Sequence, residues 1–211
     1  MEAVIPYEER LNRDKRWALL EGSMHFEKES AVQQALMRIT RELERLQVPY
    51  AVAGGMALFY HGYRRFTEDV DIIVSKESIK IIHDNLEGRG DLPPFAGSKN
   101  LRDTIAGVKV EFIVAGEFPG DGKPKPISFP QPETVAIEID GFKLLSLESL
   151  IELKLASGIS NRLRGKDIVD VQELISALNL GEEFGTKLNP YVRDKFLELV
   201  QLIRDNPQSL E

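Results

Sequence analysis

The run Asp69-Val70-Asp71-Ile72-Ile73-Val74 constrains the fold of this chain more than any other stretch. Its β-branched residues read as a strand, and its two carboxylates sit at the start of that strand. Residues two apart on a strand leave the same face, with Cα atoms about 6.5 Å apart. Asp69 and Asp71 therefore aim hard oxygen donors at one small volume, a donor set that suits Mg²⁺. Upstream, Gly54-Gly55 gives a tight turn where backbone can approach a ligand closely, because no Cβ intervenes. A phosphate cradle beside a metal-binding pair is the minimum equipment for phosphoryl chemistry.

The surrounding pattern predicts the elements that would hold this pair. Val32, Ala35, Leu36, Ile39, Leu43 and Leu46 recur at helical spacing, so 29–47 reads as an amphipathic helix ended by Pro49. Tyr50 to Ala53 reads as a short buried strand, followed by a brief helix from Met56 to Gly62. Ser75 caps a helix running to about Leu86, with Glu77 in its first turn. Residues 88–98 read as a loop, and 99–105 and 108–115 as a strand pair turning at Ala106-Gly107. Residues 116–133 carry five prolines and three glycines and read as a long surface excursion. Two strands near 134–139 and 142–145 meet at Asp140-Gly141, a hairpin signal. Helices are expected at about 147–157, 165–179 and 190–205, the second stopped by Gly181 and the third opened by Pro190. Three regions follow: an N-terminal extension (1–27) packing through Trp17, Leu19 and Leu20, an α/β core (28–146) and a helical C-terminal part (147–211). The expected class is α/β (α+β), with a small mixed β-sheet and flanking helices.

Composition narrows the function. The formal charge of −7 argues against a broad, sequence-independent grip on nucleic acid, though not against one RNA end held in a local basic pocket. The absence of cysteine excludes a disulfide framework and a thiolate zinc site. No apolar run approaches the roughly 18 residues of a membrane span, and the N-terminus lacks the pattern of a signal peptide, so a cytoplasmic location is expected. His25, His61 and His83 do not form a ligand set; His61 is expected to pack behind the glycine turn.

A third carboxylate is available. In Val108 to Val114, Val110 and Phe112 face one way and Glu111 the other. An acid among apolar residues must reach solvent, a cation or a basic partner. If this strand lies beside 69–74, three carboxylates converge, and a divalent cation would relieve their repulsion. Each candidate also has a structural reading. Arg65 can pair with Glu68 or Asp69, Lys154 can snorkel to water, and Asp167 and Asp170 can accept helix-cap or arginine hydrogen bonds.

Taken together, Ala53-Gly54-Gly55-Met56-Ala57, Arg65-Phe66-Thr67-Glu68-Asp69-Val70-Asp71 and Val110-Glu111-Phe112 resemble the nucleotidyltransferase superfamily, of polymerase-beta-like fold. Leu150 to Ala156, with Lys154, and Arg164-Gly165-Lys166-Asp167-Ile168-Val169-Asp170-Val171 are similar to the branch containing the AbiEii-type toxins. The resemblance covers about residues 30–175. It implies that Gly54 and Gly55 sit against a triphosphate, that Asp69, Asp71 and Glu111 hold Mg²⁺ (or Mn²⁺), and that Arg65 and Lys154 contact phosphate. Position 111 is Glu where Asp is commoner, and position 56 is Met where the toxin branch often has Thr.

The expected function is a metal-dependent transfer of a nucleotide monophosphate from an NTP to an acceptor hydroxyl. The acceptor would be RNA, a protein or a small molecule, in a toxin-antitoxin or phage-defence setting. The alternative is a catalytically weak or inactive nucleotide-binding, antitoxin-like interaction module on the same fold. A homodimer through the C-terminal helices, or an antitoxin partner, is a further expectation.

Overall fold

The computed structural model describes residues 4–206; the ends of the N-terminal extension (1–3) and of the C-terminal part (207–211) lie outside the described residues. In chain order the elements are α1 (Tyr7–Arg13), α2 (Lys15–Phe26), α3 (Ala31–Arg45), β1 (Ala51–Val52), α4 (Gly54–Tyr60), β2 (Asp69–Val74), α5 (Lys76–Leu86) and β3 (Asp91–Leu92). There follow β4 (Leu101–Asp103), β5 (Lys109–Val114), α6 (Pro132–Val135), β6 (Ala136–Ile139), β7 (Phe142–Leu145) and α7 (Leu147–Ser160). A 3₁₀ turn (Arg162–Arg164), α8 (Gly165–Leu178), α9 (Glu182–Gly185) and α10 (Pro190–Asp205) complete the chain.

The helix starts are encoded locally. Ser30, Ser75 and Ser146 cap α3, α5 and α7, each accepting a backbone N–H three residues on. Asn189 caps α10 ahead of Pro190. Helix α8 ends three residues before Gly181: Asn179 adopts the left-handed conformation at φ 51°, a role its short polar side chain tolerates.

The strands form one mixed sheet in the order β3-β4-β5-β2-β1-β7-β6. Strands β2 and β5 run parallel at its centre, as do β1 and β7, and the other neighbours are antiparallel. Alternation along the central strands divides two cores. Val70, Ile72, Val74, Val110 and Phe112 point to the face covered by α1, α3 and α5. Ile73 points to the opposite face, with Ile113 packed at its edge, where α7, α8 and α10 bury Leu150, Leu174 and Phe196. Asp69, Asp71 and Glu111 share the parity of Ile73 and Ile113 and so belong to that second face.

Three expectations need correction. Leu19 and Leu20 are 78% and 56% exposed; α2 instead buries Glu21 and His25, which hydrogen-bond inward, and Trp17 packs edge-on against Tyr7. The 88–98 segment contains β3, which adds an edge strand through Asp91 and Leu92. The glycine pair forms the first turn of α4, which spans Gly54–Tyr60. The 116–133 segment does run over the surface, and it is anchored there: Pro119, Ile127 and Pro132 are buried, and Gly120 packs on α7. His61 caps the end of α4 and bonds the Leu145 carbonyl at 2.8 Å.

Candidate metal and nucleotide site

The pairing of β2 with β5 sets Asp69 opposite Lys109 and Asp71 opposite Glu111. Strand pleat then turns all four side chains to one face. The carboxylates of Asp69, Asp71 and Glu111 each offer an oxygen within 4.8 Å of the others. Across an octahedral Mg²⁺ opposite ligand oxygens are about 4.2 Å apart, so a slight contraction closes this set on one ion.

The electrostatics of Asp71 support that fit. Burial pushes its carboxyl up, the charges of Asp69 and Glu111 push it further, and it reaches about 7. No hydrogen bond offsets this rise. A cation held between the three carboxylates would remove the cause of the shift. The donor set is all oxygen and suits a hard divalent ion such as Mg²⁺ or Mn²⁺.

The glycine turn lies directly on this cluster. Gly54 has φ +57°, and a Cβ there would come 1.7 Å from Oδ2 of Asp71. A Cβ on Gly55 would meet Thr67 at 2.5 Å from Oγ1. The start of α4 therefore seats against β2 with no room for a side chain. Thr67, buried, donates its hydroxyl to Oδ1 of Asp69 at 2.9 Å and fixes that carboxylate's rotamer. The sequence contained this signal in Arg65-x-Thr67-x-Asp69, yet Thr67 carried no assignment there.

Arg65 and Lys154 reach the same cleft by another route. Arg65 pairs with neither Glu68 nor Asp69. Its guanidinium grips both oxygens of Asp170 on α8, at 2.9 and 3.2 Å. Lys154 does not snorkel to water; it is 8% exposed and bonds Asp167 at 3.0 Å and Asp170 at 2.7 Å. Burial alone would raise the Asp167 carboxyl, but Lys154 and the Ser157 hydroxyl overcome it and hold it below the usual range. Asp167 and Asp170 thus accept lysine and arginine bonds that join α7, α8 and the loop before β2.

Around these groups opens a cleft of about 560 Å³. The triad, Gly54, Gly55 and Thr67 form one end. Ile113, Phe118, Phe129, Leu150 and Leu153 supply an apolar wall. The segment 116–130 makes part of this wall because Gly120 presses on α7, where a Cβ would lie 2.2 Å from the Ser160 hydroxyl oxygen. Lys125 ties that segment together, donating to the carbonyls of Pro119 and Lys123 and to Asp121 at 2.7–2.8 Å. Lys99, Arg164 and Lys166 also line the cleft.

No family model matches the sequence, and no curated protein matches it. Among solved structures, the crystal structure of ANT(2")-Ia in complex with adenylyl-2"-tobramycin is similar with a TM-score of 0.50 and 14% identity. That match covers 77% of this chain and 95% of the other. The solution structure of the antibiotic-resistance factor ANT(2'')-Ia is similar with a TM-score of 0.50 and 16% identity, over 83% of this chain and 92% of the other. The likeness is one of fold: this chain has the mixed α/β architecture of nucleotidyltransferase-like proteins.

Proposed function

We propose that the chain is a metal-dependent nucleotidyltransferase that moves a nucleotide monophosphate from an NTP to an acceptor hydroxyl. The observation that carries this reading is the convergence of Asp69, Asp71 and Glu111 beneath the Gly54-Gly55 turn, at the floor of a cleft large enough for a nucleotide. In the reaction the acceptor oxygen bonds the α-phosphorus, the bond from that phosphorus to the pyrophosphate oxygen breaks, and the acceptor's proton passes to the Glu111 carboxylate. A divalent ion at the carboxylates supplies charge neutralisation at the phosphate oxygens.

Each residue then has a task. Asp69 and Asp71 hold the ion, with Thr67 orienting Asp69. Glu111 completes the anionic set. Gly54 and Gly55 let the backbone of the first turn of α4 approach the triphosphate, where its N–H groups and helix dipole favour negative charge. Arg65 and Lys154 act mainly through Asp170 and set the cationic potential behind the phosphates. Lys166 lines the cleft, enters no ion pair among the described residues and is assigned to the leaving pyrophosphate.

The charge of the cleft bears on the acceptor. Arg65, Lys99, Lys154, Arg164 and Lys166 match its carboxylates one for one, counting Glu117 and Asp167 with the triad. With a divalent ion and an NTP both bound, the cleft carries a net charge of about −2. That field disfavours a highly anionic acceptor such as an RNA end and favours an uncharged hydroxyl, on a protein or a small molecule. The branch of AbiEii-type toxins, and a toxin-antitoxin setting, remain the biological context we propose on the motif resemblance.

Calorimetry with each NTP, with and without Mg²⁺, tests the donor site. Mg²⁺-dependent binding in wild type and its loss in Asp69→Ala/Asp71→Ala are expected. Transfer of label from α-labelled NTP to RNA and protein pools tests turnover. The pairing of Glu111 with Lys109 favours one second reading, a nucleotide-binding module without turnover. Binding without any labelled product would select it, and no NTP binding would sink both.

A further inference from the structure

The face that carries the triad holds a fourth charged group. Asp69, Asp71, Glu111 and Lys109 form a rectangle on adjacent parallel strands: Asp69 is in register with Lys109, and Asp71 with Glu111. Three corners are anionic and one is cationic. Lys109 turns its ammonium onto the Glu111 carboxylate, and both side chains remain about one-third exposed. The placement follows from the strand itself, since residues two apart share a face. It does not depend on which rotamer Lys109 adopts.

The other cations of the cleft pair with carboxylates outside the triad or, as with Lys166, with none among the described residues. Arg65 is held by Asp170, and Lys154 by Asp167 and Asp170. Among the described residues Lys109 is the cation that forms an ion pair with a carboxylate of the triad. One ammonium and one divalent ion together balance three carboxylates, whereas two divalent ions would have to displace the ammonium from Glu111.

We infer that Lys109 is a tethered cation that occupies the place of a second metal ion, so that the nucleotide-free protein takes a single divalent ion, at Asp69 and Asp71. The inference deepens the proposed metal-dependent function and rests on it for its consequence, but its own content is a metal stoichiometry. Lys109 would then keep Glu111 neutralised and in place before substrate arrives. It would also set which carboxylate is free to bind the ion.

The test is a count of Mn²⁺ bound to the full-length protein, by calorimetry and by the electron paramagnetic resonance signal of free Mn²⁺. Wild type and Lys109→Arg are expected to bind one ion per chain, and Asp71→Asn none. Lys109→Met is expected to bind a second ion, or to tighten the first by about tenfold or more, the scale of removing one nearby like charge. Two ions on wild type would overturn the inference, as would no ion at all. So would a Lys109→Met protein, folded by circular dichroism, that binds Mn²⁺ like wild type; Lys109 would then be an ordinary strand ion pair. A chain that binds one Mn²⁺ but no NTP would refute the proposed transfer and leave the Lys109 inference standing.

Discussion

Asp71 is the residue on which the chemistry and the stability of the chain meet. Its carboxyl titrates at about 7 in the folded protein against an ordinary value of 3.8, through burial first and then the charges of Asp69 and Glu111. A group that binds its proton more tightly when folded contributes fully below its unfolded value and loses that contribution as pH rises through its folded value. Metal-free protein should thus lose stability through Asp71 between about pH 4 and 7. Asp71→Asn has no charge to bury and should lack that loss. The difference in stability between the two proteins should grow toward pH 7.5, to on the order of 2 kcal/mol after screening by the open cleft. Thermal melts of both in chelator at pH 5 and 7.5 measure it, and parallel pH profiles would refute the account. Buried His25 and half-buried His61, both lowered by desolvation, bias the two profiles equally in the opposite direction. Mg²⁺ affinity should rise over the same interval in wild type, because the ion needs the ionised carboxylate. Gly54 makes the complementary test. Gly54→Ala puts a methyl where Oδ2 of Asp71 sits and forces a left-handed φ on a side chain. It should cost about 1–3 kcal/mol and abolish Mg²⁺ binding; a variant with normal metal affinity would show that the turn and the carboxylate are independent.

Among the elements, α7 and α8 are joined by charge as well as by apolar packing. Asp170, 1% exposed, holds both Lys154 and Arg65. Removing one partner of a buried ionic cluster strands the others, so Asp170→Ala should cost about 3–5 kcal/mol, whereas Asp170→Asn should cost less. Denaturant titration of the two variants separates these outcomes, and equal, small losses would mean that water replaces the carboxylate. The sequence displayed much of this level. The strands at β2 and β5 showed in their residue pattern, the cap of α5 in Ser75, and the β6–β7 turn in Asp140-Gly141, both at positive φ. It displayed the triad because a strand turns residues two apart to one face. It did not display what lies across long chain separations. Nothing near Arg65 names Asp170 as its partner, and local opposite charges at Glu68 and Asp69 pointed elsewhere. The prolines and glycines of 116–133 marked its course over the surface, but composition reports flexibility of the free chain and was silent on the anchoring, which comes from Lys125, Ile127 and the contact of Gly120 with α7.

At the scale of the molecule, the two cores are held to one sheet, and the N-terminal helices fasten the site from behind. Glu8 on α1 forms a two-pronged pair with Arg102 on β4, at 2.8 and 2.9 Å. The Tyr7 hydroxyl donates to Glu21, which also accepts the Ala31 backbone N–H at the start of α3. His25, wholly buried among Phe26, Phe59 and Phe66, places one ring nitrogen 3.1 Å from the Arg65 carbonyl and the other 3.2 Å from the Ser30 hydroxyl. The loop that carries Arg65 and Thr67 is therefore clamped by α2 on one side and by Asp170 of α8 on the other. Beginning the chain at Lys28 would expose Arg102, empty the Tyr7 and His25 sites and release one side of that clamp. The cost should be about 3–5 kcal/mol from the lost buried rings and their hydrogen bonds. The rise in amide exchange should be concentrated at 63–68 rather than spread over β2 and β5. Mass-spectrometric exchange on the shortened chain measures both the size and the location. Unchanged protection at 63–68 would show that α8 alone holds the loop, and uniform deprotection would show that α1 and α2 support the whole sheet rather than this segment.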